Sequence, residues 1–275
     1  MRFDVIVIGG GPAGCSAALT LRARSLSTAI VTGAASDIPL SASSLIANYP
    51  GCPGVSGREL LDTMRTQAER AGAVFLPGHA IMAAPMGEGF GVSVGTDFHE
   101  CGALILCTGV GPGVTYPGET ELLGRGVSYC ATCDGMLYRG KDVCVLGFTA
   151  DGKDEADALS VMGCRVKLFT DKTAKYTICG NDRVTALSVN GEEHPCQAVF
   201  ILRSMSAPDV LVPGIALDGR HIQTDNNRQT SVEGIFAAGD CIGKPYQVAK
   251  AVGDGNVAAL SAAAWLDRRK KERSI

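Results

Sequence analysis

Aromatic residues are scarce, 5% of 275 residues with a single tryptophan, Trp265, so any core this chain builds is aliphatic. Long apolar runs are missing. None approaches the ~20 residues that span a bilayer. Met1-Arg2-Phe3-Asp4 leads into a short apolar strand without a hydrophobic leader or small-residue cleavage site, so a cytoplasmic chain with no membrane contact is expected. Neither sign of charge dominates: 25 Lys and Arg face 28 Asp and Glu, a net −3 that gives no general attraction for nucleic acid. The closing basic run Arg268-Arg269-Lys270-Lys271-Glu272-Arg273 reads as a solvated tail or as a contact for an acidic partner. Paired metal ligands are also lacking, since the four histidines, at 79, 99, 194 and 221, are scattered.

Glycine and cysteine are plentiful, at 35 and 11. The length suits two compact units. Residues 3–8 are a β-branched apolar run ended by Gly9-Gly10-Gly11-Pro12-Ala13-Gly14. An alanine-rich amphipathic stretch over 13–23 and a strand over 28–31 complete a β-turn-α-β unit. Ser56, with Glu59 three residues on, opens a helix over 56–71. Short segments at 74–75, 79–83 and 90–94 precede a buried strand over 103–107 that ends at Thr108-Gly109. A second strand-turn-helix unit covers 142–146, 153–162 and 165–169. Residues 184–189, with Asn190-Gly191 as a hairpin turn, and 198–202 complete a smaller sheet. A strand within 234–240 ends in an acid, and a helix over about 247–268 closes the chain.

Gly9-x-Gly11-x-x-Gly14 lies between a strand and a helix, the context a dinucleotide fingerprint demands. The first glycine makes the turn, the second lets backbone approach a pyrophosphate, and the third lets helix pack on strand. Free N–H groups at the helix start then face the phosphates. The acid expected on a ribose after the second strand is missing: Thr32-Gly33-Ala34 follow Val31, which argues against NAD and leaves FAD open. Thr108-Gly109 and Phe236-Ala237-Ala238-Gly239-Asp240 recur in this order in flavoprotein reductases. On that likeness, Asp240 accepts hydrogen bonds from a ribitol hydroxyl. The helix starting near Gln247-Val248 points its N–H groups at the pyrimidine side of the flavin.

Cys130 and Cys133 form the one close cysteine pair, and Asp134 follows directly. A structural zinc site wants four ligands, usually a second pair, and none is present. A staple closing so short a loop restricts the unfolded chain little, and a reducing compartment would open it. Redox exchange remains: one thiolate attacks a partner disulfide, the other resolves the mixed disulfide, and Asp134 can move the proton.

The motifs GGGPAG, ANYPG (residues 47–51), CTGVGP, GRGVSYCATCDG and GIFAAGDC stand in the order found in the low-molecular-weight thioredoxin reductases, which the chain resembles over nearly its whole length. The resemblance implies an α/β fold of two Rossmann-like, three-layer ββα domains. An FAD domain is made of both chain ends (1–114 and 230–275), and a smaller inserted domain (115–229) carries the dithiol. It also implies that Cys133 faces the flavin, that Cys130 exchanges with thioredoxin, that Asp134 is the acid and that Asn48 lies near the flavin. Members of the family are usually homodimers whose domains rotate against one another.

The inserted domain departs from the family pattern. Gly147-Phe148-Thr149-Ala150-Asp151-Gly152 stands where an NADPH fingerprint belongs, with Thr149 at the point of closest pyrophosphate approach and Asp151 near the phosphates. Phe169 is followed by Thr170-Asp171-Lys172, and Asp171 would repel a 2′-phosphate. The stretch from there to Val184 is too short for the usual helix and strand. These departures resemble the ferredoxin-dependent flavin thioredoxin reductases, which lack nicotinamide motifs and draw single electrons from ferredoxin. Alternatives stay open: an NAD(P)H-dependent reductase with an atypical site, in which Asp171 holds a ribose hydroxyl; a dithiol oxidase, favoured by an aromatic-lined funnel; or a non-catalytic flavin-binding subunit.

Overall fold

The first apolar run becomes a strand because Val5, Ile6 and Val7 are fully buried, a demand met only at the centre of a sheet covered on both faces. The computed structural model describes residues 1–52, 54–109, 116–129, 131–148, 152–202 and 207–272, without the side chains of Thr132 and Cys133. It divides into two compact units, Met1–Gly111 with Ala207–Ile275, and Pro112–Ser206.

In chain order the first unit begins β1 (Arg2–Ile8), α1 (Pro12–Ala23), β2 (Thr28–Thr32), α2 (Gly57–Arg70), β3 (Val74–Pro77), β4 (Ala80–Met86), β5 (Gly89–Val94) and β6 (Asp97–Leu106). The second unit contains β7 (Val127–Ser128), α3 (Ala131–Asp134), β8 (Asp142–Gly147), α4 (Gly152–Val161), β9 (Arg165–Phe169), β10 (Tyr176–Gly180), β11 (Val184–Val189), β12 (Glu192–Pro195) and β13 (Ala198–Leu202). The chain then returns to the first unit with α5 (Pro208–Leu211), β14 (Leu217–Asp218), β15 (His221–Ile222), β16 (Ile235–Ala237) and α6 (Val248–Glu272).

The first unit's sheet runs β3-β2-β1-β6-β5-β4, with β16 also on β6. β6 is twice the strand expected, because its outer half alternates exposed and buried residues and so shows no continuous apolar run. That outer half pairs antiparallel with β5 (Phe90↔Cys101), whereas the inner half lies parallel to β1 (Ile8↔Leu106) and β16 (Ala237↔Leu106). Three parallel strands therefore end side by side, and their following turns share one edge. Small residues let α6 lie on α1: a Cβ at Gly255 would overlap the carbonyl oxygen of Ala13. Ser16 Oγ donates to Val252 O at 2.7 Å across this seam.

The second unit holds two sheets where one was expected: parallel β7-β13-β8-β9, and antiparallel β10-β11-β12. Between β9 and β11 there is one strand, β10, and no helix among the described residues. Residues 207–229, expected in the inserted domain, belong to the first unit. Leu211, Val212, Ile215 and Ile222 are buried in the same core as β1 and β6. Ser56 caps α2 as its spacing implies, in a reciprocal pairing with Glu59. Among the described residues no helix is long and apolar enough to cross a membrane.

Candidate functional site

The turn after β1 is shaped by contact. Gly9 has φ +113°, and a Cβ there would overlap Cys107 O. Gly14 sits against the carbonyl of Gly9, which brings the first turn of α1 onto the strand end. Gly11 is different: its nearest outside neighbour is Ile38 Cγ2, 3.8 Å from where a Cβ would stand, so its face is open. Pro12 opens α1, Ala13 is buried beneath it, and Gly11 offers the helix no capping side chain. The first N–H groups of α1 are thus left for a ligand. At the end of β2, where an acid was missing, Arg65 Nη2 donates to Thr32 Oγ1 (3.3 Å) and Gly33 O (3.4 Å), and the His79 ring packs on Gly33.

Parallel pairing of β6 with β16 carries Thr108-Gly109 and Gly239-Asp240 out of the sheet together, and Ala238 N donates to Leu106 O at 2.9 Å. Gly109 looks into open space. Asp240 Oδ1 is buried without a hydrogen-bond partner among the described residues. Burial raises this carboxyl above the usual carboxylate range; Lys250 draws it back and Asp254 pushes it up. A buried acceptor of this kind needs a donor, and a ligand hydroxyl would fit that need. Asn48 Nδ2 donates to Gln247 Oε1 at 2.8 Å, joining two candidate residues 199 positions apart just before α6, which starts at Val248. The candidates of the first unit therefore sit on turns at one sheet edge and at the starts of α1 and α6. Open backbone, free helix N–H groups and an orphaned carboxylate oxygen fit a flavin dinucleotide. Sequence reading missed Lys250, Asp254 and Arg228, because only the fold brings Arg228 onto the Lys250–Asp254 pair and that pair onto the 239–243 turn.

In the second unit Cys130 and the sulfur of Cys133 lie outside the described residues, as do Thr149 and Asp151. Their surroundings are described. Ser128 Oγ donates to Asp134 Oδ2 at 2.7 Å, so β7 and the end of α3 are tied across the cysteine pair. Tyr129, next to Cys130, donates its hydroxyl to Glu119 Oε1 at 2.8 Å, and Glu119 Oε2 accepts from Tyr116 N at 2.9 Å. Glu119 is buried. Met136 and Leu137, directly after the dithiol motif, are exposed (58% and 68%), a small apolar face of the kind protein partners cover. Sequence reading missed all four of Ser128, Glu119, Met136 and Leu137.

The solitary cysteines are a different population. Seven of the nine are buried; burial pushes the thiols of Cys15 and Cys101 up to about 12 and that of Cys241 to about 11, which keeps them unreactive.

A pyridine nucleotide in this unit would lie at the carboxyl ends of β8 and β9. Gly147 and Gly152 keep the close strand-to-helix approach of a fingerprint, a Cβ on Gly152 falling 2.9 Å from Gly147 Cα. The residues beyond are aromatic and packed together. Tyr176 lies 5.9 Å from Phe148, 6.2 Å from Phe169 and 5.5 Å from Tyr116, centroid to centroid, and is only 4% exposed. The Tyr176 hydroxyl donates to Asp171 O at 2.8 Å. Asp171 folds back on its own loop, Oδ1 accepting from Thr173 N and Oγ1, which holds the carboxyl below its usual range.

A dinucleotide cradle in one unit and a dithiol followed by an acid in the other is the build of a flavin-dependent disulfide oxidoreductase. Residues 3–181 and 169–255 match the family described as pyridine nucleotide-disulphide oxidoreductase. The thioredoxin reductase of Treponema pallidum is 34% identical, with 96% of this chain and 97% of that protein covered. A crystal structure of a ferredoxin-flavin thioredoxin reductase from Clostridium acetobutylicum superposes with a TM-score of 0.89 at 34% identity, covering 98% of this chain and 99% of that one. A thioredoxin reductase from Gloeobacter violaceus gives 0.83 at 32% identity, covering 98% and 95%. The chain belongs to the pyridine nucleotide-disulphide oxidoreductase family, among its thioredoxin reductases, and is an FAD-binding flavoprotein.

Proposed function

We propose that this chain passes electrons from reduced ferredoxin, by way of FAD and the Cys130–Cys133 dithiol, to the disulfide of thioredoxin. The observation that supports the choice of donor is the aromatic cluster of Phe148, Phe169 and Tyr176, packed at the carboxyl ends of β8 and β9 where a nicotinamide dinucleotide would lie. The likeness to the clostridial ferredoxin-flavin enzyme supports the same reading.

Gly9, Gly11, Pro12, Ala13 and Gly14 would cradle the pyrophosphate, Asp240 would accept from the ribitol, and Asn48, Thr108, Gly109, Gly239, Gln247 and Val248 would border the flavin. FAD, when bound, takes up electrons singly and gives them up in pairs.

The chain's own residues do the rest. The Cys130 thiolate attacks the thioredoxin disulfide; a mixed disulfide forms, the partner's S–S bond breaks, and one thioredoxin sulfur leaves as thiolate. Cys133 then attacks the Cys130 sulfur, closing Cys130–Cys133 and releasing the second thioredoxin sulfur. The dithiol is oxidised by two electrons and thioredoxin reduced by two, with Asp134 exchanging the proton and Ser128 orienting its carboxylate. Met136 and Leu137 give the partner an apolar foothold. The reading includes a cytoplasmic homodimer.

Thioredoxin turnover is measured anaerobically with reduced ferredoxin or with NADPH as sole donor. Turnover is expected with ferredoxin alone; comparable turnover with NADPH would overturn the choice of donor.

A further inference from the structure

The turn from Gly239 to Gly243 presents Asp240, yet little regular structure holds it. Both end glycines have positive φ, +86° and +115°, and the turn's own ladder is limited to Ile242 N to Gly239 O (3.2 Å) and Gly243 N to Asp240 O (3.1 Å). A single ammonium closes it. Lys250 Nζ donates to Gly239 O at 2.8 Å and to Gly243 O at 2.7 Å, and pairs with Asp254 Oδ2 at 2.9 Å. Asp254 is 4% exposed; its Oδ2 also accepts from Gly239 N (3.3 Å), while Oδ1 accepts from Arg228 Nε (3.1 Å) and Nη2 (2.9 Å). A buried carboxylate with two cations and a backbone donor is a fully engaged anchor.

We infer that Lys250, held by Asp254 and Arg228, is a positioning residue for the cofactor: it clamps the 239–243 turn so that the Asp240 carboxylate meets the ligand. The inference rests on Asp240 as the ribitol acceptor. Lys250 also acts by its charge, because it favours the ionised form of Asp240 while Asp254 disfavours it. The other groups near the turn are Arg228, which is spent on Asp254; His221 of β15, against Gly243 and hydrogen-bonded to Tyr246 (2.8 Å); and Cys241, whose Sγ donates to Leu106 O and Ala238 O.

The test follows FAD release from the purified flavoprotein, by the fluorescence of free FAD, from acidic to neutral pH. The variants are Lys250→Met, Lys250→Arg, Asp254→Asn and Asp240→Asn. Wild type should lose FAD as pH falls through the Asp240 value, since the protonated carboxyl is a poorer acceptor. Lys250→Met should move that midpoint to higher pH and weaken retention at neutral pH by about tenfold, the scale of one charge-assisted hydrogen bond. Lys250→Arg should restore both. Asp254→Asn should move the midpoint the opposite way, a sign that simple loosening does not produce. Asp240→Asn should flatten the profile; a profile it leaves intact refutes the ribitol assignment itself. A flattened Asp240→Asn profile beside an unmoved Lys250→Met midpoint overturns the clamp alone.

Discussion

Asp134 and Asp240 are both partly buried acids beside a candidate redox centre, and their neighbours give them opposite tasks. Asp134 takes a hydroxyl hydrogen bond from Ser128, which holds its carboxylate still at the end of the dithiol helix. A proton carrier must be placed in this way. Asp134→Asn is expected to lower thioredoxin turnover about 100-fold with FAD content unchanged, as read by turnover and visible absorbance together. Asp240 Oδ1 has no hydrogen-bond partner among the described residues, which suits the proposed contact with a ligand hydroxyl. The sulfurs have separate tests. Cys133→Ser should trap a covalent complex between Cys130 and thioredoxin, visible on a non-reducing gel. Cys130→Ser should leave flavin bleaching by the donor intact and abolish thioredoxin turnover. Turnover by Cys130→Ser at the wild-type rate would reverse the assignment of the two sulfurs.

At the scale of elements, β10 is the piece on which the proposed choice of donor rests. Its Tyr176 packs against Phe148 after β8 and Phe169 at the end of β9, so an apolar cluster stands at the carboxyl ends of these two strands. Tyr176→Ala should cost about 3 kcal/mol, as for other large aromatic truncations, in denaturant unfolding. Strand β10 was hidden from the sequence because its burial alternates over only five residues, in a stretch with turn residues on both sides. Strands β9, β11 and β13 were legible to the residue, since each is a short run of five or six residues rich in apolar side chains and followed by a polar residue. Helix α2 was legible from its cap alone. Glu59 is held below the usual carboxylate range by the Ser56 N–H first and the Ser56 hydroxyl second. Its folded value lies below its unfolded one, so its stabilisation is full above the unfolded value and is lost as pH falls through the folded one. Ser56→Ala should therefore lower Tm at neutral pH, and the gap from wild type should narrow on acidification by the share the Ser56 hydroxyl gives to Glu59, leaving the lost bond from Glu59 N to Ser56 Oγ.

For the whole molecule, both strand-turn-helix units were legible because each rests on local spacing, Gly9 with Gly14 and Gly147 with Gly152. What was not legible depends on distant contacts. The stretch 207–229 returns to the first unit through Ile215 and Ile222, which are buried in a core shared with β1 and β6, more than a hundred residues earlier in the chain. The Lys250–Asp254–Arg228 anchor joins α6 to the loop before β16. Trp265 belongs to the core, 5% exposed with its N–H on Glu233 Oε1 at 3.2 Å, so it lines no substrate funnel of the kind a dithiol oxidase would use.

One comparison reaches the centre of this account: anaerobic stopped-flow mixing of the oxidised yellow protein with reduced ferredoxin and, separately, with NADPH, followed at the flavin absorbance. Rapid bleaching by ferredoxin and none by NADPH is the predicted result. Rapid bleaching by micromolar NADPH would contradict it, and would mean that the aromatic cluster on β8, β9 and β10 opens to admit a nicotinamide.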